Sequence, residues 1–245
     1  LEIGSGSSQL IESWLRRTAE RGSPQGELVQ LHDPEQPEES ISPLPGVRRV
    51  EGSASAIPLA EGSLSLVLCT EVMSSLSAVP FDATTTANPT LSQGLAPAVA
   101  HAIERYDLTH LPGRAWYNLG AWRLIEQMAR VLKPGGLAVL TDRGELDQSP
   151  VSRDQHDHAE VSIHFGHLVQ VAEALGLEAR SIPLTELLDV QLQSHWLSRA
   201  SFQALAARLR TEGQTLEPLA WTRESLELPW PVEGLHWVSL SEDGP

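Results

Sequence analysis

The sequence predicts an α/β fold, a doubly wound and mostly parallel sheet with helices on both faces. Three observations carry this: short apolar runs alternate with amphipathic stretches, the first run passes through a Gly-Ser-Gly turn into a helical pattern, and one later run is too continuously apolar for a half-exposed strand. The 245 residues, 41% of them apolar and 20% charged, fit one large globular domain, and no internal repeat is present.

Leu1 to Ile3 reads as a strand, Gly4-Ser5-Gly6-Ser7-Ser8 as a turn, and Leu10, Ile11, Trp14 and Leu15 as one face of a helix. Glu27 to Leu31 is a second strand, ended by His32-Asp33-Pro34, and the proline- and glutamate-rich stretch to Pro45 is a surface loop. Val47 to Val50 adds a short strand. Leu64 to Cys69 is a buried strand introduced by the turn Glu61-Gly62-Ser63. Periodicity then fades through an insertion over residues 77–120, within which Ala98 to Tyr106 reads as a helix. Ala121 to Leu132 is amphipathic and stopped by Lys133-Pro134-Gly135-Gly136. Leu137 to Asp142 is a strand, Arg143 to Glu160 a polar loop, Phe165 to Leu175 a helix capped by Gly176, and Glu178 to Ile182 a strand. Residues 185–245 form a C-terminal substrate or partner segment, with a helix at Ser201 to Leu209, a strand at Leu235 to Leu240, and Trp196, Trp221, Trp230 and Trp237 packing a lobe or a partner surface.

The net charge of −15 repels phosphate backbones, which argues against a nucleic-acid partner. No run reaches the roughly 18 apolar residues of a membrane span, and no leader pattern precedes a cleavage site, so a soluble cytoplasmic protein is expected. The one cysteine, Cys69, excludes an internal disulfide and a multi-thiolate metal site.

Ligands of doubly wound sheets sit at the carboxyl ends of the strands where the order reverses, which directs attention to Glu2-Ile3-Gly4-Ser5-Gly6-Ser7. Gly4 and Gly6 allow a tight turn and close approach of a ligand, and the helix that follows offers its amides and positive dipole end. A dinucleotide site wants a third glycine where Gln9 stands, which weakens a nicotinamide-dependent oxidoreductase reading.

The pattern Glu-x-Gly-x-Gly resembles the first motif of class I S-adenosylmethionine-dependent methyltransferases. The likeness continues in order through Asp33, through Gly52 to Val72, and through Met128 to Asp142. It implies a Rossmann-like fold with S-adenosylmethionine held by Glu2, Gly4, Ser5, Gly6, Asp33 (ribose hydroxyls), Ser53 and Ala54 (adenine) and Thr70. Ser53 and Ser65 stand where the family commonly carries acidic residues, so a degenerate domain serving as an interaction or scaffolding module is the alternative. The chain opens in a strand without the helices that normally precede it, so a missing N-terminal cover or a protein partner completing the fold is expected.

Within the resemblance, the acceptor is a small molecule or a protein and S-adenosylhomocysteine is the product. Glu71, just past the fourth strand, is placed to bind an amine or guanidinium or to take a proton; a structural or cofactor-side role is the other reading. A second likeness, from Thr141-Asp142-Arg143-Gly144 through Val161 to Leu177, is to the branch containing the mitochondrial complex I assembly arginine methyltransferase, and implies an arginine acceptor. Trp116 and Tyr117 are expected to wall the acceptor, with packing under the insertion as the alternative. His156 and His158 have ligand-like spacing on an extended segment, but a polar loop is the preferred reading, and no metal is expected.

Overall fold

The computed structural model describes residues 1–4, 9–20, 26–33, 45–82, 95–155, 158–183 and 235–242. In chain order the elements are β1 (Glu2–Ile3), α1 (Gln9–Glu20), β2 (Leu28–His32), β3 (Val47–Glu51), β4 (Leu64–Thr70), the 3-10 turn η1 (Met73–Ser75), β5 (Val79–Asp82), α2 (Pro97–Tyr106), β6 (Arg114–Tyr117), α3 (Leu119–Val131), β7 (Leu132–Glu145), β8 (Ser152–Gln155), β9 (His158–Val161), β10 (Ile163–His164), α4 (Phe165–Ala174), β11 (Leu177–Pro183) and β12 (Leu235–Glu242). The chain divides into two compact units. One is Leu1–Ser181 with His236–Pro245; the other, Ile182–Leu235, lies almost wholly outside the described residues, as do the expected helix at 201–209 and the side chains of the late tryptophans.

The sheet runs β11-β12-β7-β4-β1-β2-β3, and β10 pairs with β7. Strands β3, β2, β1, β4 and β7 are mutually parallel, as predicted. The two-residue β1 lies mid-sheet, Ile3 opposite Leu31 on one side and Cys69 on the other. From β1 the chain winds outward to β2 and β3, then returns across β1 to place β4 on its other side. The order therefore reverses between β1 and β4.

Strand β4 is central and apolar on both faces: Val67 and Cys69 on one face expose nothing, and Leu66 and Leu68 on the other are half-buried. Helix α3 buries Leu124, Ile125, Met128 and Val131 completely, at the 3.6-residue spacing read from sequence. It stops at Val131 because Lys133 precedes Pro134 and is steered out of helical geometry. The Lys133–Gly136 turn becomes an irregularity in the sheet: Leu64 faces Leu132, and regular pairing resumes at Leu66 and Leu137. On α1, Ile11 is buried but Trp14 remains 43% exposed, so the apolar face is narrower than its spacing predicts.

Residues 143–160 correct the expected polar loop. β7 continues to Glu145, and β8 and β9 form an antiparallel hairpin with Ser152 opposite Val161 and Gln155 opposite His158. Ser152-Arg153-Asp154-Gln155 has no apolar residue to signal a strand. The pairing is supported from outside it by Ser162 N–H donating to the Val151 carbonyl and by an Arg143–Glu160 ion pair at 2.9 Å. His156 lies outside the described residues.

The insertion has a folded base. β5 and β6 pair antiparallel, and α2, with Pro97 at its start, buries Val99, Ala102, Ile103 and Tyr106. Below them Tyr117, Trp122, Phe165 and Leu168 join the main core. No helix among the described residues is long and apolar enough to cross a membrane.

Candidate functional site at the reversal of strand order

The carboxyl ends of β1, β2, β4 and β7 bring together Gly4, Asp33, Thr70, Glu71 and Asp142. The bend from β1 is forced by Gly4, at φ 83°. A Cβ there would lie 2.1 Å from Val72 Cγ2 and 2.7 Å from the Thr70 carbonyl, so no other residue fits. The close approach that Gly4 permits is therefore that of the β4 turn. Ser5 and Gly6 lie outside the described residues.

Glu2 is only 3% exposed and is already engaged. Gln30, its register partner on β2, donates to it at 3.0 Å, and Ile11 N–H, in the first turn of α1, donates as well. Burial pushes the Glu2 carboxyl up, against the pull of Gln30, the neighbouring amino terminus and Ile11 N–H. A carboxylate at the positive end of α1 satisfies one of the helix's unpaired amides. Glu2 thus seats the helix on β1.

Asp33, half-buried, follows the last residue of β2. Gly52 N–H donates to the His32 carbonyl at 2.9 Å, which brings the start of the 53–56 segment to the same edge. There Ser53 Oγ accepts from Ser55 N–H at 3.3 Å and lies 3.1 Å from Ser55 Oγ. Ala54, beside them, is buried.

Glu71 follows β4 and is exposed, with a left-handed backbone at φ 54°, rare for a side chain of its size. Its N–H donates to the Thr141 carbonyl at 2.8 Å, which holds the residue in that conformation. Such backbone is retained where surrounding structure over-determines it, often at functional sites.

Asp142 is the site residue missed in the sequence. It sits at the carboxyl-terminal part of β7, 2% exposed, with Oδ2 accepting from Ser74 N–H at 2.9 Å and Oδ1 from Arg143 N–H at 2.8 Å. Burial, with a smaller contribution from Glu71, raises its carboxyl to about 6 against the pull of Ser74 and Arg143. The signal was present: Ala138 and Leu140 are buried, and the two-residue period places Asp142 on their face.

The folded state holds this proton more tightly than an unfolded chain, whose Asp titrates near 3.8. The group's contribution to stability is therefore full below that value and lost as pH rises through about 6. The difference is about 3 kcal/mol for roughly two pH units. Urea titrations from pH 4 to 7.5 should show this decline, and Asp142→Asn should flatten it. An identical slope in the variant would contradict the assignment.

Trp116 and Tyr117, expected together as an acceptor wall, part company because neighbours on a strand face opposite ways. Tyr117 is fully buried, which corrects that expectation: its ring packs against Phe81, Trp122 and His167, and its hydroxyl accepts from Leu111 N–H at 3.3 Å. Trp116 faces outward opposite Pro80 and lines a cavity of about 490 Å³ with Phe81, Arg114, Pro150, Val151 and Ser152. One wall of the cavity is the β5–β6 pair and the other is residues 150–152, just before and into β8.

Behind this wall is a buried polar cluster. Asn118 donates to the Ser162 carbonyl at 3.1 Å and accepts from His164 N–H at 3.0 Å; His164 Nδ1 accepts from His167 N–H at 3.0 Å. Burial, then His164, holds the His167 ring down to about 3, so it stays neutral with Nε2 on the Thr109 carbonyl at 2.8 Å. Among the described residues no group of three or more His, Cys, Asp or Glu could hold a metal ion.

No protein-family model and no curated protein matches the chain. Solved structures do, at low identity. A chain of the complex between the Haloferax volcanii Trm112 methyltransferase activator and a methyltransferase-like protein is 13% identical, over 99% of this chain and 81% of that one, with a TM-score of 0.47. The S-adenosylmethionine-dependent methyltransferase from Mesorhizobium loti is 11% identical over 98% and 88%, TM-score 0.46. The glycopeptide N-methyltransferase MtfA, complexed with S-adenosylmethionine, is 12% identical over 99% and 80%, TM-score 0.44. The parallel sheet, its reversal between β1 and β4 and the glycine bend ending β1 give this chain a Rossmann-like, doubly wound fold.

Proposed function

We propose that the chain transfers a methyl group from S-adenosylmethionine to a small-molecule or protein acceptor, leaving S-adenosylhomocysteine. The observation that supports this most is the glycine bend at the reversal point, with Asp33 at the end of the next strand. The residues that fit the group are the Asp33 carboxylate at the end of β2, suited to ribose hydroxyls, and the amino end of α1 beyond the Gly4 bend; the space at Gly4 itself is taken by Val72 and the Thr70 carbonyl.

S-adenosylmethionine supplies an electrophilic methyl on a sulfonium, so the protein's contribution is alignment, and proton removal where the acceptor is protonated. In this reading Asp33 holds the ribose hydroxyls, the main chain at Ser53 and Ala54 borders the adenine, and Gly4, Ser5 and Gly6 border the amino-acid end. Thr70 and Glu71 stand on the methyl side. Glu71 has an exposed carboxylate on a fixed backbone, suited to hold an amine or guanidinium or to accept its proton. The apolar part of the acceptor rests against Trp116 in the cavity between the two loop walls.

Calorimetric titration of the full chain with S-adenosylhomocysteine tests this. Saturable binding is expected, and Asp33→Ala should weaken it about 10- to 100-fold, the loss of a charged hydrogen-bond acceptor. A flat titration to millimolar ligand would overturn the proposal.

A further inference from the structure

We propose that Asp142 is a positioning residue for the β4 turn: by clamping Ser74 it fixes the Thr70–Ser74 segment that both closes over Gly4 and presents Glu71. The geometry runs through one short stretch of chain. Its first residue, Thr70, and its third, Val72, pack where a Gly4 side chain would be. Its second, Glu71, is held in the left-handed region by the Thr141 carbonyl. Its fifth, Ser74, is 5% exposed and gives its N–H to Asp142 at 2.9 Å, and its hydroxyl donates to the same carboxylate. Two consecutive residues of β7, Thr141 and Asp142, thus grip the turn at both ends.

Buried backbone amides are almost always paired, and η1 is too short to supply Ser74 with a helical partner. The carboxylate is therefore what fixes the place of η1 relative to the sheet. Protonation would leave one oxygen a donor and weaken this grip. The titratable groups facing Asp142 are Glu71 and Cys69 from the β4 side; Arg143, next on its own strand, gives Asp142 its backbone N–H and pairs its guanidinium with Glu160 of β9. Glu71 favours protonation of Asp142, while Cys69 is held as a neutral thiol by burial and by Asp142.

The proposal rests on the methyl-transfer reading only for its ligand arm. The structural arm is nuclear magnetic resonance of the full chain. The Ser74 amide resonance should titrate with the Asp142 carboxyl in the wild type and lose that step in Asp142→Asn, with Ser74 and Glu71 amide exchange faster by about tenfold or more while Val29 and Val139 stay protected. A Ser74 resonance that does not titrate, or unchanged exchange in the variant, overturns the proposal. The wild-type titration decides alone should Asp142→Asn fail to fold. In the ligand arm, S-adenosylhomocysteine affinity should fall about tenfold per pH unit below the Asp142 midpoint, and the variant should lose this acid limb. An acid limb retained in the variant counts against the proposal. Absence of binding at every pH in the wild type would overturn the methyl-transfer reading, and the amide titration would still decide the role of Asp142.

Discussion

Gly4→Ala is expected to lower the unfolding free energy by about 2–5 kcal/mol, combining roughly 1–2 for a side chain in left-handed backbone with 1–3 for overpacking. The added methyl would meet Val72 Cγ2 at 2.1 Å and the Thr70 carbonyl at 2.7 Å. Valine can change rotamer; a carbonyl in the central strand cannot move without the strand. The β4 turn would therefore shift, carrying Thr70 and Glu71 with it, and ligand affinity should fall more than tenfold at temperatures where the variant remains folded. Val72→Ala placed on top of Gly4→Ala removes only the first clash and should recover part of the stability, with an interaction energy of roughly 1 kcal/mol or more in the double-mutant cycle. Full stability in the single variant would show that the bend is not built as described.

Trp122→Ala is the second large effect, about 3–5 kcal/mol, the range for deleting a buried aromatic side chain. Trp122 is 1% exposed and meets Tyr117 and His167 edge-on, with ring centroids 6.0 and 5.6 Å away. Its loss would leave a cavity beside Tyr117, whose strand carries Trp116 to the wall of the 490 Å³ cavity. Trp122→Phe keeps most of the packing and also removes a buried indole N–H that has no partner among the described residues, so it should cost less than half as much. Urea unfolding of the two variants checks this; equal losses would mean that ring packing is not what the position contributes.

The order of elements was legible because the central strands are short apolar runs between turn signals and helix α3 keeps its 3.6-residue period. Gly4 and Glu71 were legible because the alternation places them at strand ends. Trp116 and Tyr117 could not be separated by composition, since both are aromatic; only strand alternation, fixed by Ala115 and Tyr117 facing inward, divides them. The β8–β9 hairpin was hidden because polar side chains make up β8 and its support comes from Arg143, Glu160 and Ser162, outside any local pattern. Asp142 was read as part of a strand and passed over as chemistry. Its partner Ser74 lies 68 positions away, a pairing that no local pattern reveals.

A crystal structure of the chain with S-adenosylhomocysteine is the most direct test of where the site lies. The account predicts ligand density against the carboxyl ends of β1 and β2, the ribose within hydrogen-bonding distance of Asp33 and the sulfur facing the turn at Thr70 and Glu71. Ligand seated elsewhere on the sheet, or an unchanged Gly4 bend with no ligand at saturating concentration, would contradict it.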